Sequence, residues 1–117
     1  MGQQQQLREE ITRLHAGVCK GLADPNRILL LYTLAESPHT VNDLAAAVGL
    51  PQSTVSRHLK TLREQRMVVT ERQGASVTYT LADQRVVEAL ELLRAFMADT
   101  LQSQSELAQT AIDSLTP

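Results

Sequence analysis

Between Thr40 and Arg66 two helix-forming segments are separated only by Gly49-Leu50-Pro51, and this spacing restricts the fold more than any other feature of the chain. Thr40-Val41-Asn42-Asp43 resembles a capping box, with Asp in place of the usual Glu or Gln, so a short helix is expected through Leu44, Ala45 and Val48. Gly49 stops it, because glycine enters the left-handed backbone that closes helices without steric penalty. Pro51 is expected in the first turn of the second helix, where its missing N–H costs nothing, and that helix runs to about Arg66. So short a connection forces the second helix to turn sharply away from the first, which is the layout of a helix-turn-helix.

The flanking segments supply the rest of one compact domain. Leu7, Ile11, Leu14 and Val18 recur at helical spacing and predict an amphipathic helix over about 5–21, with residues 1–6 frayed. Asp24-Pro25 pairs an N-cap acceptor with proline at the first helical position. The following Ile28, Leu29, Leu30, Leu31 and Leu34 are apolar nearly all round, so this helix belongs in the middle of the fold until Ser37-Pro38 ends it. Residues 67–72 and 76–81 read as paired strands, with Gln73-Gly74-Ala75 as the turn. Asp83 then caps a last helix in which Val86, Leu90, Leu93, Met97 and Leu101 repeat, and residues 102–117 are a weaker helical extension or tail. The expected architecture is mainly α with a small β-hairpin, in the order α-α-α-α-β-β-α: a single winged helix-turn-helix domain over 1–117.

Composition excludes several classes. Aromatic residues are 3% of the chain (Tyr32, Tyr79 and Phe96), so the core must be aliphatic. No run approaches the roughly 20 apolar residues that cross a bilayer, so no membrane association is expected. The polar start lacks the basic flank and apolar run of a secretory signal. The single cysteine, Cys19, excludes an intrachain disulfide and fits a reducing, cytoplasmic setting. Net charge is −2, but Arg57, Lys60, Arg63, Arg66 and Arg72 face only Glu64 and Glu71 within residues 51–82. Positive charge gathered in one segment of an acidic chain suits a local phosphate-binding surface.

At 100° per residue the second helix puts Val55, Leu59 and Leu62 on one side. Ser53, Arg57, Lys60 and Thr61 fall broadly opposite, with Thr54 and Ser56 on the flanks. Short side chains near a helix start let its backbone approach base edges in a major groove. There Arg57 can grip guanine through two hydrogen bonds, Gln52 can grip adenine, and the hydroxyls can bond bases or phosphates. Arg57 is the first candidate for a base contact, with Gln52, Ser53, Thr54 and Ser56 beside it, and Lys60 is placed on phosphate. Arg72 and Gln73 lie at the hairpin tip, where a wing reaches the minor groove or the neighbouring backbone. A solvated surface helix has the same composition; the capped short helix, Gly turn, cationic helix and hairpin in succession favour DNA.

Three runs carry a resemblance: Leu22-Ala23-Asp24-Pro25-Asn26-Arg27-Ile28-Leu29-Leu30-Leu31, Val41-Asn42-Asp43-Leu44-Ala45, and Gln52-Ser53-Thr54-Val55-Ser56-Arg57-His58-Leu59-Lys60-Thr61-Leu62. Over about residues 15–95 the chain resembles the ArsR/SmtB family of winged-helix repressors. The resemblance implies a homodimer, built through the helices at about 5–21 and 83–101, that binds a partly palindromic DNA operator and represses transcription. Many members of that family release DNA on binding a metal, but the ligand positions differ here. The short helix over 40–47 holds no Cys-x-Cys pair. In the last helix Asp83 is present, whereas Arg85 stands where His is expected and Arg94 and Met97 stand where the later ligands belong.

No metal site and no cofactor are therefore expected. His15 and Cys19, spaced i, i+4, would supply only two ligands per chain where structural zinc takes four. Their expected roles are a packed cysteine and a histidine at the edge of the surface; an unconventional metal or thiol sensor at this pair is the alternative. His39 is read as a solvated loop residue and His58 as a packing or hydrogen-bonding one. No convergent acid, base and nucleophile stand out, so the chain is read as a non-enzyme. The competing class is a winged helix that binds another protein, against which the cationic helix face speaks.

Overall fold

The computed structural model describes residues 2–115. Met1, within the expected frayed start, and Thr116-Pro117, at the end of the expected tail, lie outside the described residues. The elements are α1 (Gly2–Leu14), a π-helical turn (His15–Cys19), α2 (Lys20–Leu22), α3 (Pro25–Glu36), α4 (Val41–Val48), α5 (Gln52–Glu64), β1 (Val68–Gln73), β2 (Ser76–Leu81) and α6 (Arg85–Leu115). Mainly helical with one antiparallel hairpin, this is the predicted order.

Local chemistry sets most boundaries. Asp24 has extended backbone and its carboxylate accepts the Asn26 N–H at 2.8 Å, with Pro25 opening α3. That N–H holds the Asp24 carboxyl below its usual range. Thr40 caps α4 by accepting the Asp43 N–H at 3.1 Å. Two helix starts differ from the sequence reading. The first helix starts at Gly2, so Gln3 to Gln6 are helical, where straight-chain residues lose little rotamer freedom. Pro51 sits at the N-cap of α5 with extended ψ (145°), one residue before the helix rather than in its first turn.

The other end of α5 also differs: it stops at Glu64, short of the expected Arg66. Arg66 takes a left-handed backbone (φ 60°). The Met67 N–H reaches back to the Leu62 carbonyl and the Arg66 N–H to the Arg63 carbonyl, both at 3.0 Å. This is a Schellman closure with arginine where glycine is usual. Leu62 and Met67, both buried, are the apolar pair that accompanies such a closure.

Within residues 2–84, α3 is the hub and packs against α4, α5 and β2. Its Leu30, Leu31 and Leu34 are buried with Leu44 of α4, Val55, Leu59 and Leu62 of α5, and Met67 and Val68 at the start of the hairpin. Leu29 and Ile28 are not fully enclosed, so α3 is buried on one broad face rather than all round. The hairpin pairs Val68 with Leu81 through to Gln73 with Ser76, leaving a two-residue turn, Gly74-Ala75, shorter than the predicted three. Gly74 has φ 63° and occupies the first turn position, as a type II′ turn requires. His39 pairs with Tyr79 as an added bridge, through N–H···O bonds of 3.1 and 2.8 Å. The His39 side chain is half-buried, its Nδ1 2.7 Å from the Ser37 carbonyl in an exposed contact, while its backbone ties the start of the α4 segment to the hairpin.

The chain divides after Gln84 into two compact units, the second being α6 with its terminus. Helix starts at Arg85, two residues beyond the expected cap Asp83. It runs for 31 residues, so the segment beyond Leu101 is helix through Leu115. Leu93, Met97 and Leu101 lie on one side of it, and all three are exposed.

Arg66→Gly is expected to raise unfolding stability by roughly 1 kcal/mol, because glycine takes the left-handed backbone without a Cβ clash. Urea titration of the two proteins checks this; equal or lower stability for the glycine variant would mean the closure is not strained.

Candidate nucleic-acid interface

The site begins with the turn between α4 and α5. Gly49 closes α4 in the left-handed region (φ 72°), its N–H bonding the Ala45 carbonyl at 2.9 Å, and the Leu50 N–H shares that carbonyl at 3.2 Å. The turn delivers Pro51 and aims α5 away from α4. Proline brings no side-chain acceptor, so the first N–H groups of α5 are not capped by their own N-cap residue. Free donors at the positive end of a helix dipole are suited to a phosphate oxygen.

Burial divides α5 along its length. Val55, His58, Leu59 and Leu62 are buried; Gln52, Ser53, Ser56, Arg57 and Lys60 are exposed, and Thr54 is half-buried between the two sets. Every predicted α5 residue thus lies on or beside one outward side with no large apolar group among them. Arg63 continues the positive charge toward the helix end, also exposed. Arg72 and Gln73 are exposed on β1, with Gln73 in the last pair before the turn. Gln52 also lines a groove with Thr40 to Asp43 of the α4 start and Ala75, Ser76 and Val77 of the hairpin. The structure therefore brings the first residue of α5 together with the wing turn.

His58 is the titratable side chain enclosed within α5, only 6% exposed. Its Nδ1 lies 3.4 Å from Arg27 Nη1. A guanidinium can only donate, so in this contact Nδ1 is the accepting side. The same guanidinium donates from Nε to the Gly21 carbonyl at 2.7 Å and from Nη2 to the Lys20 carbonyl at 3.0 Å. Periodicity gave no sign of Arg27: it is one charged residue on an apolar helix, and its partners are carbonyls that any sequence carries.

His15 and Cys19 fall within the π-helical turn, and both are exposed. The expectation of a packed Cys19 is corrected. In the single chain Cys19 is exposed together with Leu7, Ile11 and Leu14 of α1, so nothing within residues 2–84 packs over it. Among the described residues no group of three or more His, Cys, Asp or Glu side chains is placed to hold a metal ion. At the ligand positions that the resemblance implies in the last helix stand Arg85, Arg94 and Met97, and cationic guanidinium groups do not fit a metal ion.

A central helix hub, a two-helix corner and a hairpin beside the second helix define a winged helix-turn-helix protein. The model of the family described as "Bacterial regulatory protein, arsR family" matches residues 24–70, from the α3 cap into β1. The chain is 32% identical over 99 residues to the nodulation protein NolR of Rhizobium meliloti, covering 85% of this chain and 81% of that protein. It is 41% identical over 76 residues to the HTH-type transcriptional regulator NmtR of Mycobacterium tuberculosis, covering 65% of this chain and 63% of that protein. Among solved structures, it is similar to the homodimeric winged helix-turn-helix DNA-binding domain Mb0332 of Mycobacterium bovis, a possible ArsR-family regulator. That match has a TM-score of 0.69 at 25% identity and covers 88% of this chain and 92% of that one. The chain belongs to the arsR family of bacterial regulatory proteins.

Gly49→Ala is expected to cost about 1–2 kcal/mol through the backbone alone, since nothing lies within 4 Å of where its Cβ would stand. Thermal unfolding tests this. Unchanged stability would show that the corner does not need its left-handed residue.

Proposed function

We infer that the protein is a sequence-specific DNA-binding transcriptional repressor that acts as a homodimer on a partly palindromic operator. The observation that carries this reading is the outward side of α5: cations and short polar groups are exposed over Gln52 to Lys60, while the opposite side is locked into the core. In this reading Arg57 contacts a base, Gln52, Ser53, Thr54 and Ser56 read or approach base edges, and Lys60 neutralises a phosphate. Arg72 and Gln73 on the wing extend the contact to the neighbouring backbone or minor groove. Family membership supports a regulatory rather than an enzymatic role, and a place in the cytoplasm with the chromosome. No helix among the described residues is long and apolar enough to cross a membrane.

The homodimer rests on two observations. Leu7, Ile11 and Leu14 of α1, and Leu93, Met97 and Leu101 of α6, are large apolar side chains left at least half exposed in the single chain. Apolar faces of that extent mark association surfaces. The similar Mb0332 domain is itself described as homodimeric. A two-fold axis would present two α5 helices to successive major grooves, about one DNA turn apart.

Binding to a duplex from the protein's own promoter region, titrated with salt against an unrelated duplex, tests the reading face. Arg57→Ala should cost about 1–3 kcal/mol on the preferred duplex and narrow the difference between the two. Lys60→Ala should weaken both duplexes alike and flatten the salt slope by about one. If both variants bind like the parent, α5 does not face DNA through this side.

Leu93→Glu combined with Met97→Glu is expected to convert dimer to monomer in analytical ultracentrifugation, because each places a charge in an apolar seam. A variant that stays dimeric would remove α6 from the interface.

A further inference from the structure

The N-terminal helical segment is joined to α5 at two separate places, directly at the closure that follows the helix and through Arg27 of α3 at its middle. At the C-terminal closure of α5, a Cβ on Gly17 would stand 3.0 Å from Gln65 Oε1, and one on Gly21 would stand 2.0 Å from Met67 Cε. Glycines spaced i, i+4 thus let the segment lie directly against the residues that end the recognition helix. The second place is mid-helix, where Arg27 holds the carbonyls of Lys20 and Gly21 on one side and His58 Nδ1 on the other. Positions 58 and 65 are about 10 Å apart along a helix. Burial of Val55, Leu59 and Leu62 sets which side of α5 faces inward, and two contacts that far apart add a finer restraint on its axis.

We propose that Arg27 is a positioning residue for DNA reading, latching the end of the N-terminal helical segment to His58 and so setting the rotation of α5. The chemistry suits this. The planar guanidinium meets two carbonyls and one imidazole nitrogen at once, three directions that an ammonium cannot satisfy in the same plane. The two carbonyls belong to the last residues of the helical segment, at the negative end of its dipole, where a cation is favoured. His58 lies one position beyond Arg57 and two before Lys60 on the same helix, so a change in its seating rotates both of those side chains relative to the groove. Neither Arg27 nor His58 reaches DNA in this arrangement; they act through the orientation of α5. A displacement of the N-terminal segment, which also carries the exposed apolar face of α1, would be transmitted to the reading face through this latch.

The proposal rests on the DNA-binding reading above, and its test separates the two. The full-length protein is titrated with the promoter duplex and the unrelated duplex at several salt concentrations, comparing Arg27→Lys, His58→Leu, the double variant and His58→Asn. Asparagine offers an acceptor near the place of Nδ1 and serves as the rescue. The expected result is loss of affinity for the promoter duplex of about tenfold in each single variant. The double variant should be no worse than either single one, because both break one link. The salt slope should flatten by no more than it does in Lys60→Ala, since Arg27 and His58 themselves touch no phosphate, and His58→Asn should recover most of the affinity. Circular dichroism and unfolding midpoints establish that the variants are folded at the assay temperature; if Arg27→Lys is not, Arg27→Gln replaces it. Parental affinity in folded single variants overturns the latch and leaves the DNA-binding reading standing. Additive losses also overturn it, because the two residues would then act independently. A parent protein that binds neither duplex in a salt-dependent way overturns the DNA-binding reading, and the latch with it.

Discussion

Val55, Leu59 and Leu62 form one side of α5, and each is wholly enclosed in a core shared with α3 and α4. Turning the helix by one residue would drive Ser56, Lys60 and Arg63 into that core and bring apolar side chains out. An unpaired buried guanidinium costs far more than one leucine gains, so the rotation is held by a large energy difference. The outward face therefore follows from packing: Gln52, Ser53, Ser56, Arg57 and Lys60 are presented because their neighbours one and two positions away cannot leave the interior.

The ends of α5 are held by backbone rather than by side-chain burial. At one end Gly49 and Pro51 make the corner. At the other, Arg66 accepts a left-handed backbone so that Met67 can close onto Leu62 and lead into β1. The hairpin beyond it is tied back through His39 and Tyr79 to the segment between α3 and α4. These connections explain how a chain with so few aromatic residues holds its reading helix and wing together: each is anchored to the aliphatic hub at more than one point. By contrast, Leu7, Ile11 and Leu14 of α1 are at least half exposed and add nothing to this core.

How legible the molecule is from its sequence depends on whether a signal is local. The Asp24-Pro25 start, the Thr40 cap, the Gly49 stop and the Gly74 turn each work within a few residues, and each lies where the pattern puts it. The division of α5 into Val55, Leu59 and Leu62 against Arg57 and Lys60 is equally plain, because a 3.6-residue period is a property of the chain itself. The errors arise where a distant segment intervenes. The backbone bridge between His39 and Tyr79 has no local signal, because its two residues are far apart along the chain. Cys19 reads as packed, yet in the single chain it is exposed along with Leu7, Ile11 and Leu14, because no other element covers that segment. Leu29 reads as central because apolar type alone does not say which side of a helix meets the core.

The sequence by itself determined the order of elements, the corner that aims the second helix and the composition of its outward face, since caps, glycine backbones and helical periodicity act over one or two turns. Only the tertiary structure decided that Arg27 sits between two helix-end carbonyls and His58, that Gly17 and Gly21 make room for the end of α5, and that Gln52 shares a groove with the wing turn. Those arrangements join residues up to several turns or whole elements apart, and their partners are backbone carbonyls, a methyl group and a ring nitrogen. None of these leaves a pattern in sequence, because every peptide has carbonyls and the distance between them is set by how the elements pack.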